Sequence, residues 1–320
     1  MKTNECVLGI DTSNYTTSAA AVDSCGNIIS DRRKLLKVKQ GERGLRQSDA
    51  LFQHIANLPE IIENIKSDTA GYVIKAVSVS SRPRPVEGSY MPVFNAGLSA
   101  GSMIASVLDV PLYRFSHQEG HITAVKTYSR FKDKTELLCC HLSGGTCEIL
   151  ICTKDGIEIA GGSLDISFGQ LLDRTGVALG LDFPCGKALD EAALNTLDKA
   201  DILTPIKVRD CHFNLSGIET QVLRNISGMD KNSDYSLLIK NIFDRITICL
   251  AQAVNQTAAA CGTGNVLFAG GVSSSGYVRR EIGRYIDRNI SYEFGAAELS
   301  SDNAVGTALL GGARLWQQNP

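Results

Sequence analysis

Short apolar runs separated by polar turns open the chain. Cys6 to Ile10 and Ser18 to Val22 have strand length, and Gly26-Asn27 is a hairpin signal. The stretch "CVLGIDTSNYTTSAAAVDSCGNIISD" therefore predicts strand, tight polar turn, strand, Gly-Asn turn, strand. The pattern returns about 130 residues later in "LLCCHLSGGTCEILICTKDGIEIAGGS". There Leu137 to Leu142 and Ile149 to Cys152 are strands, Ser143-Gly144-Gly145 a turn, and Asp155-Gly156 a second hairpin turn. Helical periodicity fills the intervals 48–66, 95–108, 168–180, 186–196, 235–261 and 275–288. A hairpin-plus-strand unit used twice among helices predicts a duplicated α/β architecture.

Composition narrows the class without naming a function. A chain of 320 residues, 43% hydrophobic and 21% charged, is long enough for two lobes with separate cores. Its net charge of -2 gives no electrostatic prior for nucleic acid, so such contact needs a local basic patch. No apolar run reaches the roughly 18–20 residues of a membrane span, and the N-terminus turns polar too early for a secretion signal. Ten cysteines without a CxxC pair read as reduced thiols, and the expected location is the cytoplasm.

Three turns sit at strand ends, two of them built on glycine pairs. Ser143-Gly144-Gly145 presents backbone N–H groups without side-chain obstruction, which suits phosphate or carboxylate oxygens. In "VLFAGGVSSSGYVRREI", the strand Val266 to Ala269 runs into Gly270-Gly271 and then a helix, an arrangement that lets a nucleotide approach closely. With the turn after Ile10 these favour a nucleotide cleft, although glycine also serves merely to permit positive φ.

"SHQEGH" places His117 and His121 four residues apart in a chain with five histidines. On a helix they share a face and suit one Zn²⁺ or Fe²⁺; two capped or solvated histidines at a helix start are the plain alternative. A zincin peptidase needs Glu beside the first histidine, and position 118 is Gln. Glu119 falls about 200° around the helix from His117, so peptidase chemistry is disfavoured.

The segments "VLGIDTS", "PLYRFSHQEGHI", "LSGGT", "GQLLDRTGVALGLDFPCG", "LFAGGVS" and "SSDNAVG" resemble, in order, those of TsaD-type tRNA threonylcarbamoyltransferases, formerly described as O-sialoglycoprotein endopeptidases. The resemblance covers residues 5 to 312. It implies the actin-like ATPase, sugar-kinase and Hsp70 type of duplicated α/β fold, with two lobes and an interlobe cleft. The expected division is 1–115 for the first lobe and 116–302 for the second, with a C-terminal helix at 303–320 packing back on the first. The resemblance implies a divalent metal (Fe, Zn or Mg) on His117, His121 and Asp302, with His141 as a fourth ligand where some relatives carry Tyr. For Asp302, helix capping is the plain alternative. An adenine nucleotide (threonylcarbamoyl-AMP, AMP or ATP) would meet Ser143, Gly144, Gly145, Thr146, Asp173, Gly186, Gly270, Gly271 and Ser275. The implied activity is transfer of a threonylcarbamoyl group to N6 of the adenine beside the tRNA anticodon. The implied partners are tRNA, a smaller paralogous subunit of the same fold and an ATPase, with no membrane.

Departures from the family pattern gather at the active site. The family's first turn reads Glu-Thr-Ser-Cys-Asp-Asp/Glu-Thr; here it is Asp11-Thr12-Ser13-Asn14-Tyr15-Thr16-Thr17, and the acidic pair has become Tyr15 and Thr16. The Gly-Pro-Gly segment is replaced by "SRPRPVEGSYMPVF", with Arg82 and Arg84 between prolines, and Glu219 stands where the family has Lys. Ser275 replaces an asparagine, and Thr146 a His or Asn. These changes keep open two rivals: a paralogue carrying a carbamoyl-type group to another acceptor, and a non-catalytic subunit that pairs with an active relative. The seven Lys and Arg from Arg32 to Arg46 would either cradle tRNA phosphates or form a solvated face.

Overall fold

A meander of three strands followed by two parallel strands occurs twice in the computed structural model. It describes residues 4–13, 15–39, 42, 44–198, 200–228, 230 and 233–317. Asn14 of the first turn, Arg43 of the basic stretch and residues 318–320 lie outside them.

The first half runs β1 (Asn4–Ser13), β2 (Thr16–Asp23), β3 (Ile28–Leu35), α1 (Gln47–Asp68), β4 (Tyr72–Arg82), α2 (Phe94–Leu108), β5 (Leu112–Ser116) and α3 (His117–Thr127). The second runs β6 (Leu137–Leu142), β7 (Cys147–Cys152), β8 (Ile157–Ser163), α4 (Phe168–Ala178), α5 (Gly186–Asn195), β9 (His212–Phe213), α6 (Ser216–Gly228), α7 (Ser236–Cys261), β10 (Asn265–Ala269), α8 (Gly276–Glu281) and β11 (Ser291–Phe294). Then come the short α9 (Ala297–Ser300) and α10 (Val305–Gln317).

The sheet orders are β3-β2-β1-β4-β5 and β11-β10-β6-β7-β8-β9. Read from the meander, the second order is 8-7-6-10-11 with β9 added beyond β8, so the echo in the sequence is a repeat of topology. β1–β2–β3 and β6–β7–β8 pair antiparallel, while β4, β5, β10 and β11 run parallel to their neighbours. Central strands β1 and β6 are covered on both faces, which is why they read as unbroken apolar runs rather than alternating ones.

The chain divides into two units, Met1–Lys37 with Leu45–Tyr128 and Glu298–Pro320, and Val38–Gly44 with Ser129–Ala297. The division falls after Tyr128, not after residue 115, because α3 belongs with β1 and α10. A Cβ on Gly306 would lie 1.8 Å from Gly120 O, so α3 and α10 cross backbone to backbone. A Cβ on Gly9 would lie 2.5 Å from Ala304 O, which seats the start of α10 on β1. The second unit has its own core, built from Leu138, Cys140, Phe168, Phe213, Phe243 and Phe268 among others.

Some elements differ from the sequence expectation. The segment 275–288 is not one helix, since α8 ends at Glu281 and a 3-10 turn follows over Ile282–Arg284. α6 was not foreseen. All ten cysteines are free thiols, and eight of them are buried. Among the described residues no helix is long and apolar enough to cross a membrane.

Candidate metal centre and nucleotide turns

Local sequence around Ser116 sets the first part of the site. Ser116 ends β5 and caps α3: its Oγ accepts from Glu119 N at 3.2 Å, while its own N and Oγ donate to Glu119 Oε2 at 2.7 and 2.6 Å. This capping box starts the helix at His117. One turn later His121 meets it edge to face, the ring centroids 4.3 Å apart. Glu119 is spent in the cap, so it offers nothing to a peptidase mechanism.

Asp302 joins the pair from just before α10. Its Oδ1 lies 3.2 Å from His121 Nε2 and 3.5 Å from His117 Nε2. Ligand atoms of His117, His121 and Asp302 all fall within 4.8 Å of one another. Ligand bonds of about 2.0–2.1 Å at tetrahedral angles put donor atoms roughly 3.3 Å apart, close to these spacings.

Asp11, at the end of β1, completes the arrangement. It is fully buried, and its Oδ1 lies 3.1 Å from His117 Nδ1. A carboxylate only accepts, so Nδ1 carries the proton and Nε2 is the atom turned towards Asp302. That Nε2 is buried and has no hydrogen-bond partner among the described residues. Ser13 Oγ donates to Asp11 Oδ2 at 2.5 Å and holds the carboxylate in place. Carboxylate, histidine and metal in line are the usual second-layer support of a metal site.

The electrostatics suit a cation. Burial disfavours a charged His117, but the Asp11 and Asp302 carboxylates outweigh it and raise this imidazole to about 10. His121 is lowered, by burial and then by the His117 charge, and stays a neutral imidazole. Asp302 is held well below the usual carboxylate range: burial opposes its charge, and the two histidines overcome that. Asp11 is likewise lowered despite burial, by His117 and by the hydroxyls of Ser13 and Ser80. Two carboxylates, Asp11 buried and Asp302 partly buried, against one imidazolium leave a surplus negative charge. A dication in place of the His117 proton would cancel it, so the residues fit a divalent ion.

His141, the expected fourth ligand, is buried on β6 of the second unit, opposite Glu148 in the β6–β7 register. Asp11 was missed as a site residue. The available signal was a carboxylate at the carboxyl end of a strand in an α/β sheet, where ligands bind.

The expected nucleotide residues all lie in the second unit. Ser143 to Thr146 form a tight turn: Ser143 N donates to Thr146 O at 2.8 Å, and Thr146 N to Ser143 Oγ at 3.0 Å. Ser167, the cap of α4, donates its hydroxyl to Gly144 O at 2.6 Å. Gly270 has φ +89°, and a Cβ there would lie 2.4 Å from Leu142 O, so only glycine brings the β10 turn against the end of β6. Added side chains at Gly144, Gly145, Gly186 and Gly271 would meet open space. Asp173 Oδ1 accepts from Cys185 N at 2.8 Å and fixes the start of α5 at Gly186. Burial raises the Asp173 carboxyl.

Ser275 serves the fold. It caps α8 by accepting from Val278 N at 3.1 Å, and its hydroxyl donates to Asp190. Asp190 also accepts from Gly276 N and Tyr277 N, tying α5 to α8. Glu219 meets Arg174 Nη1 at 3.0 Å through both carboxylate oxygens, so its reversed charge is answered within the chain. In the basic stretch, Arg32 pairs with Asp68, Arg33 with Asp31 and Lys34 with Glu60.

A five-strand plan used twice, with a two-histidine, one-aspartate cluster after the parallel strands, defines the class: an actin-like ATPase and sugar-kinase fold bearing a candidate metal centre. Solved structures share the fold. The activator of 2-hydroxyisocaproyl-CoA dehydratase from Clostridium difficile superposes with TM-score 0.57 at 15% identity, covering 98% of this chain and 96% of that one. HypF of T. kodakarensis gives 0.62 at 14% identity, covering 98% of this chain and 48% of the longer one. A ROK family glucokinase from Streptomyces griseus gives 0.50 at 13%, covering 95% and 98%.

The particular family follows from sequence. The TsaD profile, tRNA N6-adenosine threonylcarbamoyltransferase, matches residues 27–309, and the chain belongs to that family. Proteins of that name from Neorickettsia sennetsu and Thermosipho melanesiensis are 25% and 29% identical over 309 and 314 residues. The alignments cover 94% and 95% of this chain, and 91% and 93% of the relatives. A bifunctional tRNA threonylcarbamoyladenosine biosynthesis protein of Methanothermobacter thermautotrophicus is 26% identical, over 95% of this chain and 55% of its own length.

Proposed function

We propose that the protein is a metal-dependent transferase that moves a threonylcarbamoyl group from threonylcarbamoyl-AMP to N6 of the adenine beside the tRNA anticodon. The observation that carries this reading is the set of buried His117 and His121 with partly buried Asp302, steadied by Asp11, in a chain of this family. His117 Nε2, His121 Nε2 and an Asp302 oxygen would hold one divalent ion, Fe, Zn or Mg. When bound, that ion supplies Lewis-acid polarisation and a template for the acyl phosphate.

The chain's own residues do the rest. Asp11 keeps the His117 proton on Nδ1 and leaves Nε2 directed at the ligand. The open backbone at Gly144, Gly145 and Gly271 would take phosphate oxygens, and Asp173 Oδ2 the ribose hydroxyls. Attack by N6 on the carbamoyl carbon forms the N–C bond and breaks the bond to the phosphate oxygen; AMP leaves, and its freed phosphate takes the N6 proton. Lys37, Lys39 and Arg46 are the described basic residues of the 32–46 stretch that make no ion pair with a described carboxylate, so phosphate contacts with tRNA would fall to them. A smaller subunit of the same fold and an ATPase complete the proposed assembly.

Tyr15 and Thr16 favour a second reading, transfer of a carbamoyl-type group to another acceptor. Neither residue accepts a proton at neutral pH as a carboxylate does, and Thr16 is buried. The test is nucleoside mass spectrometry on cells depleted of their own transferase and expressing this protein, with His117→Ala alongside. Threonylcarbamoyladenosine restored by the wild type alone supports the first reading. A soluble, metal-loaded protein that restores none, with the partner proteins supplied, refutes it.

A further inference from the structure

Arg82 stands where the family's Gly-Pro-Gly segment has been rebuilt. It is the last residue of β4, and its register partner is Ser116, the residue before His117. The next residue, Pro83, accepts from Gln118 N at 3.1 Å, so the rebuilt segment lies against the first turn of the helix bearing both histidines. β1, β4 and β5 are parallel and end together at Ser13, Arg82 and Ser116, the edge of an α/β sheet where ligands collect. Arg82 is partly buried, and its guanidinium makes no hydrogen bond or ion pair with any described residue. Other arginines of this unit, Arg32 and Arg33, are paired with carboxylates. A partly desolvated guanidinium without a partner, beside a cation centre, is matched by an anion that reaches both.

We infer that Arg82 anchors an oxyanion of the group held at the His117–His121–Asp302 centre and so sets which donor or acceptor the protein accepts. The inference rests on the transferase reading above. Two oxyanions of such a substrate share the chemistry Arg recognises in bidentate fashion: the carboxylate of a threonyl group and the phosphate of the leaving group.

Zinc-loaded wild type, Arg82→Gln and Arg82→Lys are titrated with two probes by NMR or calorimetry. N-carbamoyl-L-threonine carries the carboxylate without phosphate; phosphonoacetamide carries the phosphonate without that carboxylate. Arg82→Gln is expected to weaken one probe about ten- to hundredfold and leave the other unchanged, with Arg82→Lys in between because it keeps the charge and loses the fork. Loss of the carboxylate probe assigns Arg82 to the threonyl end, and loss of the phosphonate probe to the leaving group. Metal content and melting temperature stay at wild-type values, because the side chain holds nothing within the protein. Equal affinity of wild type and Arg82→Gln for both probes overturns the inference and leaves the transferase reading standing, as does a fall in metal content in Arg82→Gln. Failure of the zinc-loaded wild type to bind either probe overturns both.

Discussion

Replacing Asp11 by Asn isolates the one contact that orients the metal centre without touching a ligand. The Asp11–His117 bond is 3.1 Å long, charge-assisted and fully enclosed, and a hydrogen bond to a charged group is worth about 1.5–3 kcal/mol. Asn keeps an acceptor oxygen at the same place, so part of the orientation survives and the charge is lost. It also brings an NH₂ group where Ser13 Oγ now donates, which forces that hydroxyl to turn. Outer-layer partners of this kind change metal affinity about 10–100-fold, or about 1.4–2.7 kcal/mol. Asp11→Asn should therefore bind Zn²⁺ about 10–100 times more weakly than wild type in a chelator competition, while His117→Ala loses specific binding altogether. Nitrogen NMR of His117 gives an independent reading: Nδ1 protonated in the loaded wild type, a tautomer mixture in the variant. A dissociation constant within twofold of wild type, with the tautomer unchanged, would falsify the assignment of Asp11 to this role.

Other consequences are as direct. In metal-free protein, His117 is raised from 6.5 to about 10, so its contribution to stability is complete below about pH 6.5 and lost as pH rises through about 10; melting in the presence of chelator should show that decline, while metal affinity climbs by up to about tenfold per pH unit over the same window as the competing proton leaves. Gly169→Ala would put a Cβ 2.5 Å from Gly144 Cα and 2.7 Å from Ser143 O; it should cost about 1–3 kcal/mol in denaturant unfolding and weaken AMP binding by calorimetry, and unchanged AMP affinity would separate this turn from the nucleotide. Glu219→Lys loses both 3.0 Å contacts to Arg174 and sets two cations together, a loss of about 1 kcal/mol that Arg174→Glu should recover in a double-mutant cycle. Gly306→Ala cannot be relieved by a side-chain shift, because the obstruction is the Gly120 carbonyl itself; a destabilisation above about 4 kcal/mol is expected in thermal or denaturant melts.

The repeated strand plan was legible because its signals are local. Apolar runs of strand length, closed by Gly-Asn, Ser-Gly-Gly and Asp-Gly turns, mark both meanders, and β6 matches its expected bounds residue for residue. What the pattern hid depended on distant partners. The helix read at 275–288 ends at Glu281, and in the 3-10 turn that follows Gly283 passes close to Tyr292, whose hydroxyl lies 2.5 Å from where a Cβ would sit. Periodicity within the segment carries no trace of that neighbour. The boundary after residue 115 failed for the same reason, since only the three-dimensional crossing at Gly120 and Gly306 assigns α3 to the first unit.

The site divides along the same line. His117 and His121 declare themselves by their spacing, which helix geometry converts into proximity. Asp302 lies 181 residues from His121 and was reached only through family resemblance, and Asp11, 106 residues from His117, was not reached at all as a site residue. Departures from a family pattern need the same spatial test before they count as losses. Glu219 looks like a charge reversal until Arg174 is placed opposite it, and the pair then keeps an ionic contact with both oxygens engaged. Ser275 looks like a lost nucleotide contact, yet its hydroxyl is committed to Asp190 and to the cap of α8. Tyr15 and Thr16 differ in kind. The nearest carboxylate on their hairpin with a site role is Asp11, held below the usual range by His117, Ser13 and Ser80, and a carboxylate so stabilised is a poor proton acceptor. The three candidate ligands lie together while the first turn carries Tyr15 and Thr16 in place of an acidic pair, so the acceptor half of the proposed reaction is where the nucleoside assay decides most.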